Sequence, residues 1–314
     1  MSKAPDVSVV MSVHNGGPLL HRALSSVLAQ EGCTFEFIVI DDGSTDGTAA
    51  ILDHYAAKDT RLQILHQENV GLTMALRRGC SLATGEFIAR QDAGDVSCQT
   101  RLMKQLNLLR SDASVSLVSC WSRAIGPEDE VLFETQRSGD PGVATERFLA
   151  HRQGAVHGTV MFRRRDYERA GGYRHQFYFS QDNDLWFRLL ELGQVAFVPE
   201  TLYMDRISPA SISANHRPMQ HALGELSYQC HLARKNGESE EPWLHQAASL
   251  RPEVSASKNS CPLRGEYFIG RCLARRRDPR ARKYLSSVLK KEPWRLGAWL
   301  GLCQTILSHG RIER

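Results

Sequence analysis

Three short apolar runs, Val7–Val13, Phe35–Ile40 and Phe87–Ala89, each give way to polar or acidic residues, and segments of helical period separate them. A continuous apolar run of this length reads as a strand covered on both faces, the situation of parallel strands joined by crossover helices. That alternation constrains the chain to an open α/β sheet, where ligands collect outside the carboxyl ends of the strands. The three ends here are Asn15, Asp41–Asp42 and Asp92, so they are expected to line one crevice.

The connecting segments fit the same scheme. After the Asn15-Gly16-Gly17-Pro18 break, Leu20, Ala23, Leu24, Val27 and Leu28 form one apolar helical stripe. Ser44 or Thr45 is expected to cap a helix that buries Ile51, Leu52 and Tyr55. Leu62–Leu65 predicts a strand, Leu72–Leu82 and Thr100–Leu109 helices, Val115–Cys120 a strand, Gly126–Pro141 a loop or hairpin, His157–Phe162 a strand and Asp182–Leu192 a helix. Beyond about Asn215 the pattern is helical only: Ala222–Lys235, Tyr267–Arg277, Arg280–Lys291 and Leu296–Leu307, with polar linkers around Asn236–Glu241 and Ser255–Pro262. The expected division is a sheet domain over residues 1–220 and a helical region over 221–314.

At 314 residues the chain can bury one large core and a smaller annex. Its 42% hydrophobic and 24% charged content is that of a globular protein. Met1–Asp6 has no apolar segment and no later run suffices for a membrane span, so a cytoplasmic protein is expected. The eight cysteines are scattered, which favours reduced core thiols over a zinc site or disulfides. Net charge is +4, but Arg264–Arg295 holds eleven Lys and Arg against three acids, a local +8. Trp299, Leu300, Cys303, Ile306 and Leu307 follow at helical spacing, so these basic helices are expected to meet an anionic membrane, at the inner face of the cell membrane, or a partner protein. No nucleic-acid partner is expected.

Neither a Gly-x-Gly-x-x-Gly fingerprint nor a Walker-type Gly-x-x-x-x-Gly-Lys is present, so any nucleotide phosphates must be held by metal and side chains. The stretch Gly85-Glu86-Phe87-Ile88-Ala89-Arg90-Gln91-Asp92-Ala93-Gly94-Asp95 runs a strand into closely spaced carboxylates, ligands suited to a hard cation such as Mg²⁺ or Mn²⁺. With Val13-His14-Asn15, Asp41-Asp42, Asn69-Val70-Gly71-Leu72 and Gln181-Asp182 in order, the chain resembles the family 2 glycosyltransferases of the GT-A fold over about residues 5–215.

The resemblance implies a mixed, mostly parallel central sheet flanked by helices, with an α-helical C-terminal extension. It further implies an inverting, metal-dependent transfer of a sugar from a nucleotide-diphosphate donor, expected to be a UDP-sugar, to a glycan or lipid-linked acceptor in cell-surface polysaccharide synthesis. Val13, His14, Asn15, Asp41, Asp42, Arg77, Arg90 and Asp92 are then the donor-binding set, and Asp92 and Asp95 the metal ligands. Asp182 is the general base, with Asp184 and Glu200 as alternates, and His157, Gln181, Trp186 and Arg206 stand on the acceptor side. Gly94 replaces an Asp of the common pattern and removes one candidate ligand. A non-catalytic GT-A-like scaffold is the alternative, while a sugar nucleotidyltransferase is disfavoured because no Gly-rich basic loop follows the first strand.

Overall fold

The computed structural model describes residues 4–209, 216–252 and 262–306. They form two compact units. One comprises the chain up to Ser122, Gln136–Asp205 and His221–Arg251; the other comprises the described parts of Arg123–Thr135, Arg206–Gln220 and the chain from Pro252 onward.

The first unit is built on a mixed sheet in the order β3 (Leu62–Gln67), β2 (Phe35–Asp42), β1 (Val7–Val13), β4 (Phe87–Arg90), β8 (Met161–Arg163), β6 (Val115–Ile125), β9 (Gln194–Arg206) and β5 (Val96–Ser97). β3, β2, β1 and β4 are parallel, β8 runs antiparallel to β4 and β6, and β5 antiparallel to β9. Register decides where the polar ends meet. Val13 lies opposite Asp41 and Asp42 opposite Gln67, whereas Arg90 lies opposite Val10, so β4 ends three residues before β1 does.

Alternation along the parallel strands feeds two cores. Val7, Val9, Met11, Phe37 and Val39 point to one face, where α1 (Leu20–Leu28) and α4 (Arg101–Ser111) cover them; Val10, Ile38 and Ile40 point to the other, under α3 (Leu72–Ser81) and α7 (Gln181–Leu190). Burial on both faces explains why these strands read as unbroken apolar runs. α2 (Thr48–Ala56), α5 (Pro141–Leu149) and α6 (Arg164–Arg169) complete the layers before α8 (Arg217–Lys235) and α9 (Glu241–Ser249).

The division expected at residue 220 falls within α8. That helix is held to the first unit by the stacked rings of His231 and Phe187, 5.0 Å apart, and by Arg234 on Glu191. In the second unit β7 (Val131–Thr135) pairs with β6 through the Gly126–Glu130 turn. α10 (Pro262–Arg275), α11 (Ala281–Lys291) and α12 (Leu296–Ile306) pack around Ile269, Leu273, Leu285 and Val288.

Some local expectations change. His157 stands in a 3-10 turn, His157–Thr159, and the strand begins only at Met161. Neither Ser44 nor Thr45 caps α2; Asp46 Oδ1 accepts from Thr48 N at 2.9 Å, and Ser44 and Thr45 instead bond Asn15. β9, α5 and α9 were not anticipated, because their short apolar stretches lack a decisive period. The seven described cysteines are all free thiols. No helix among the described residues is long and apolar enough to cross a membrane. Cys261, Leu307 and residues 255–261 of the expected linker lie outside the described residues.

Gly79 carries the packing of α3 on the sheet, since an added Cβ would lie 2.6 Å from Val10 Cγ1 and 3.3 Å from Ile40 Cγ1. Gly79→Ala should therefore cost about 1–3 kcal/mol through overpacking, despite alanine's better helix propensity. Urea unfolding measures this, and an unchanged or raised midpoint would contradict the packing.

Candidate functional site

At the ends of β1 and β2 the polar residues first bind one another. Asn15 adopts a left-handed backbone (φ 54°); its N–H donates to Ser44 Oγ at 2.9 Å and its Oδ1 accepts from Thr45 N at 2.8 Å. His14 is exposed, with Nδ1 at 2.9 Å from the Asp42 carbonyl. Val13 offers the crevice only backbone, because its side chain is buried in the core.

Asp41 and Asp42 differ in what they leave available. Asp42 accepts from Gln67 Nε2 (2.7 Å), Val70 N (3.0 Å) and Gly71 N (2.9 Å), which ties β2 to the loop entering α3. A carboxylate has about four acceptor positions, so Asp42 is largely spent on the fold. Asp41 accepts from Ser44 N (3.1 Å) and meets His66 Nδ1 (2.8 Å), retaining capacity for a ligand. The bond to Asp41 raises the pKa of His66 above the ordinary imidazole value.

Arg77 is exposed and lines a surface groove of about 640 Å³ with His66, Val70, Met74 and Arg78. None of Asp92, Asp95 and Asp182 lines that groove.

The end of β4 is organised by Arg90, whose side chain is fully buried. Its Nη1 donates to the carbonyls of Val10 and Gln91, its Nη2 to Asp92 Oδ1 at 2.8 Å and its Nε to His157 Nε2 at 3.2 Å. His157 Nε2 also takes the Tyr173 hydroxyl at 2.8 Å. An N–H from arginine must be accepted, so this network assigns His157 the Nδ1–H tautomer. Burial, reinforced by Arg90, holds the His157 pKa well below the ordinary 6.5.

A second buried arginine supports the first. Arg101 donates to Gly158 O (2.8 Å) and Arg90 O (3.0 Å), with its guanidinium 5.2 Å from the Tyr203 ring. The Asp92 N–H donates to Tyr203 Oη at 3.1 Å. Gly158 fits where a Cβ would lie 2.0 Å from that hydroxyl and 3.0 Å from Asp92 Oδ2. Asp95, also buried, closes the turn by donating its N–H to Asp92 O at 3.2 Å, while Gln91 Nε2 donates to Asp95 O. Arg101, Gly158, Tyr173 and Tyr203 were not anticipated, since none carries a local motif.

Asp182 is the second residue of α7, after the left-handed Ser180 at the N-cap. It therefore does not cap the helix, and its Oδ1 accepts only locally, from Asn183 N at 2.9 Å. The helix dipole favours its ionised form, but desolvation prevails and its pKa is raised, with Asp92 adding repulsion and Arg90 opposing it. Asp92, Arg90 and Asp182 thus share one electrostatic neighbourhood. The alternates lose ground: Asp184 is fully buried in an ion pair with Arg188, and Glu200 pairs with Lys104 at the surface.

The acceptor-side residues separate. His157 belongs to the Arg90 network, and Gln181 is buried at the start of α7. Trp186 cannot wall an acceptor pocket, because its ring is fully buried against His157 and Phe162 as part of the core stripe. Arg206 lies in the second unit, where it donates to Gly126 O (2.8 Å) and pairs with Asp129 across the β6–β7 turn.

Residues 8–171 match the family profile described as Glycosyl transferase family 2. EpsE of Bacillus subtilis (strain 168), which carries a glycosyltransferase name, is 34% identical over 211 residues, 66% of this chain and 74% of EpsE. The chain belongs to glycosyl transferase family 2. A further relative, EpsJ of the same organism, is 24% identical over 277 residues, 82% of this chain and 80% of its own. Among solved structures, the mannosyltransferase PcManGT from Pyrobaculum calidifontis, in complex with GDP-Man and Mn²⁺, gives a TM-score of 0.57 at 18% identity over 100% of this chain and 89% of its own. S. aureus TarS 1–349 in complex with UDP gives 0.58 at 15%, over 96% and 88%. At these identities the likeness shows the fold, which is GT-A-like.

Among the described residues no group of three or more His, Cys, Asp and Glu forms a ready-made metal cage. The Asp92–Asp95 turn nevertheless fits the way Mg²⁺ is commonly held, by one or two carboxylates completed with substrate phosphates.

The titrations of His157 and Asp182 act on stability with opposite signs. His157 is depressed below 6.5, so its contribution is present above that pH and is lost on acidification. Asp182 is raised above 3.8, so its contribution is present below that pH and lost as pH rises through the raised value. Asp182→Asn should therefore melt at or above the parent temperature at neutral pH and forfeit that gain in acid, while His157→Gln should flatten the acid-side decline. Melting curves across about pH 4 to 8 test both; a lower neutral melting temperature for Asp182→Asn would contradict its burial.

Proposed function

We propose that this family 2 glycosyltransferase is an inverting enzyme that moves a sugar from a UDP-sugar to a hydroxyl of a glycan or lipid-linked acceptor, in cell-surface polysaccharide synthesis. The observation that carries this reading is Asp182, a half-buried carboxylate whose pKa is raised by desolvation in the electrostatic neighbourhood of Arg90 and Asp92. A carboxylate displaced upward from 3.8 is a stronger base when ionised, as proton removal from an alcohol requires. Asp182 accepts the acceptor's hydroxyl proton as that oxygen bonds the anomeric carbon. The diphosphate leaves from the opposite face, which inverts the configuration.

On the donor side, Asp41 retains acceptor capacity for a base or ribose, with His14 and Asn15 at the adjoining strand end. Arg90 orients Asp92 at 2.8 Å, and desolvation, reinforced by Arg90, disfavours protonation of His157. Asp92 and Asp95 would hold Mg²⁺ or Mn²⁺, which when bound neutralises charge developing on the departing diphosphate. The UDP complex of TarS and the GDP-Man and Mn²⁺ complex of PcManGT support the donor class.

Asp182→Asn should retain donor affinity and lose transfer by roughly 10²–10⁴-fold, the usual share of a general base. Wild-type turnover in a folded Asp182→Asn protein would favour the non-catalytic scaffold. Separately, Asp95→Ala should abolish metal-dependent UDP binding. Gly94→Asp should preserve it, since a Cβ at Gly94 meets nothing within 4 Å. Calorimetry with UDP and Mn²⁺ reads both, and full metal-dependent binding by Asp95→Ala would remove that residue from the metal site.

A further inference from the structure

The outer face of α12 carries an apolar stripe that the packing of its own unit does not use. Leu296, Trp299, Leu300 and Cys303 are spaced i, i+3, i+4 and i+7, and all are exposed; Trp294, in the turn before the helix, is 73% exposed. The opposite face makes the intramolecular contacts. Ala298 is buried, and Gly301 sits where a Cβ would lie 2.6 Å from Leu285 Cδ1. Trp299 Nε1 donates to Pro293 O at 2.9 Å, so its indole is held in place with its polar atom satisfied.

Cations flank the stripe. Lys290 and Lys291 end α11 three to four residues before Trp294, are exposed, and form no ion pair among the described residues. Arg264 lies one turn before Tyr267, whose hydroxyl crowds Gly297 at the start of α12. By contrast, Lys283, Arg280 and Arg295 are paired with Glu128, Asp278 and Glu292.

We infer that this surface docks on an anionic lipid bilayer, with α12 lying in the plane of the interface. Exposed Trp and Leu beside unpaired lysines is the pattern of an interfacial helix, in which the apolar side enters the headgroup region and the cations meet anionic lipid. Eleven residues span only about 16 Å against roughly 30 Å of hydrocarbon, so the helix lies on the bilayer and does not cross it. Charge argues against a second copy as the occupant, because Arg264–Arg295 carries a local +8 that would face itself.

Sedimentation of the full chain with vesicles tests the inference. Phosphatidylcholine–phosphatidylglycerol vesicles should pellet the protein, phosphatidylcholine alone should do so weakly, and added salt should release it. Each of Lys290→Gln and Lys291→Gln should lower the partition coefficient roughly fivefold. Trp294→Ser, outside any helix, and the pair Trp299→Ser with Leu300→Ser should lower it further, with the parent's circular dichroism and melting temperature retained. No binding to the anionic vesicles, or undiminished binding by these folded variants, overturns the inference. So does self-association in sedimentation velocity that the same substitutions abolish, since the stripe would then be an interface between copies.

Discussion

A guanidinium with no exposed surface must satisfy five N–H groups inside the protein, and leaving a buried charge unpaired costs several kcal/mol. Arg90 places four of them, on the Val10 and Gln91 carbonyls, the Asp92 carboxylate and the His157 ring. The register makes this reachable, because Arg90 lies opposite Val10 while β1 continues three residues further. One cation thereby fixes the end of β4, the first acidic residue after it and the 3-10 turn at His157. Arg101 secures the same turn through Gly158 O.

Electrostatics then separates the two carboxylates that the fold brings into one neighbourhood. Asp92 is bonded directly to Arg90, whereas Asp182, half-buried at the start of α7, has its pKa raised by desolvation. Carboxylates in unequal surroundings are what a site needs when one must bind cationic or phosphate-linked groups and another must take a proton. Membership of glycosyl transferase family 2 supplies the reaction class in which such a division is useful.

The strand ends were legible because buried parallel strands are written as apolar runs, and Asn15, Asp41–Asp42 and Asp92 interrupt those runs abruptly. Asp182 was legible only by its place in an ordered set of motifs; an Asp at the start of an apolar helical stretch is by itself equally suited to a helix cap, a role that the backbone at Ser180 excludes. Trp186 lies on an apolar stripe, where core packing and a pocket wall look alike in sequence, and burial decides for the core. The bonds from Arg90 to His157 and from Asp92 to Tyr203 span 67 and 111 residues, and no local pattern encodes partners that distant. The ring stacking of His231 on Phe187, which holds α8 to the first unit, is likewise a contact between residues far apart in sequence.

The central claim is that donor diphosphate and metal meet at the Asp92–Asp95 turn. Paramagnetic broadening of backbone amide resonances by Mn²⁺ in the presence of UDP locates the ion directly. The account predicts the strongest broadening at Gln91–Val96 and Gly158, weaker effects at Asn15 and Ser44, and loss of the pattern in Asp95→Ala. Broadening centred on the Arg77–Arg78 groove, or spread evenly over surface carboxylates, would contradict it.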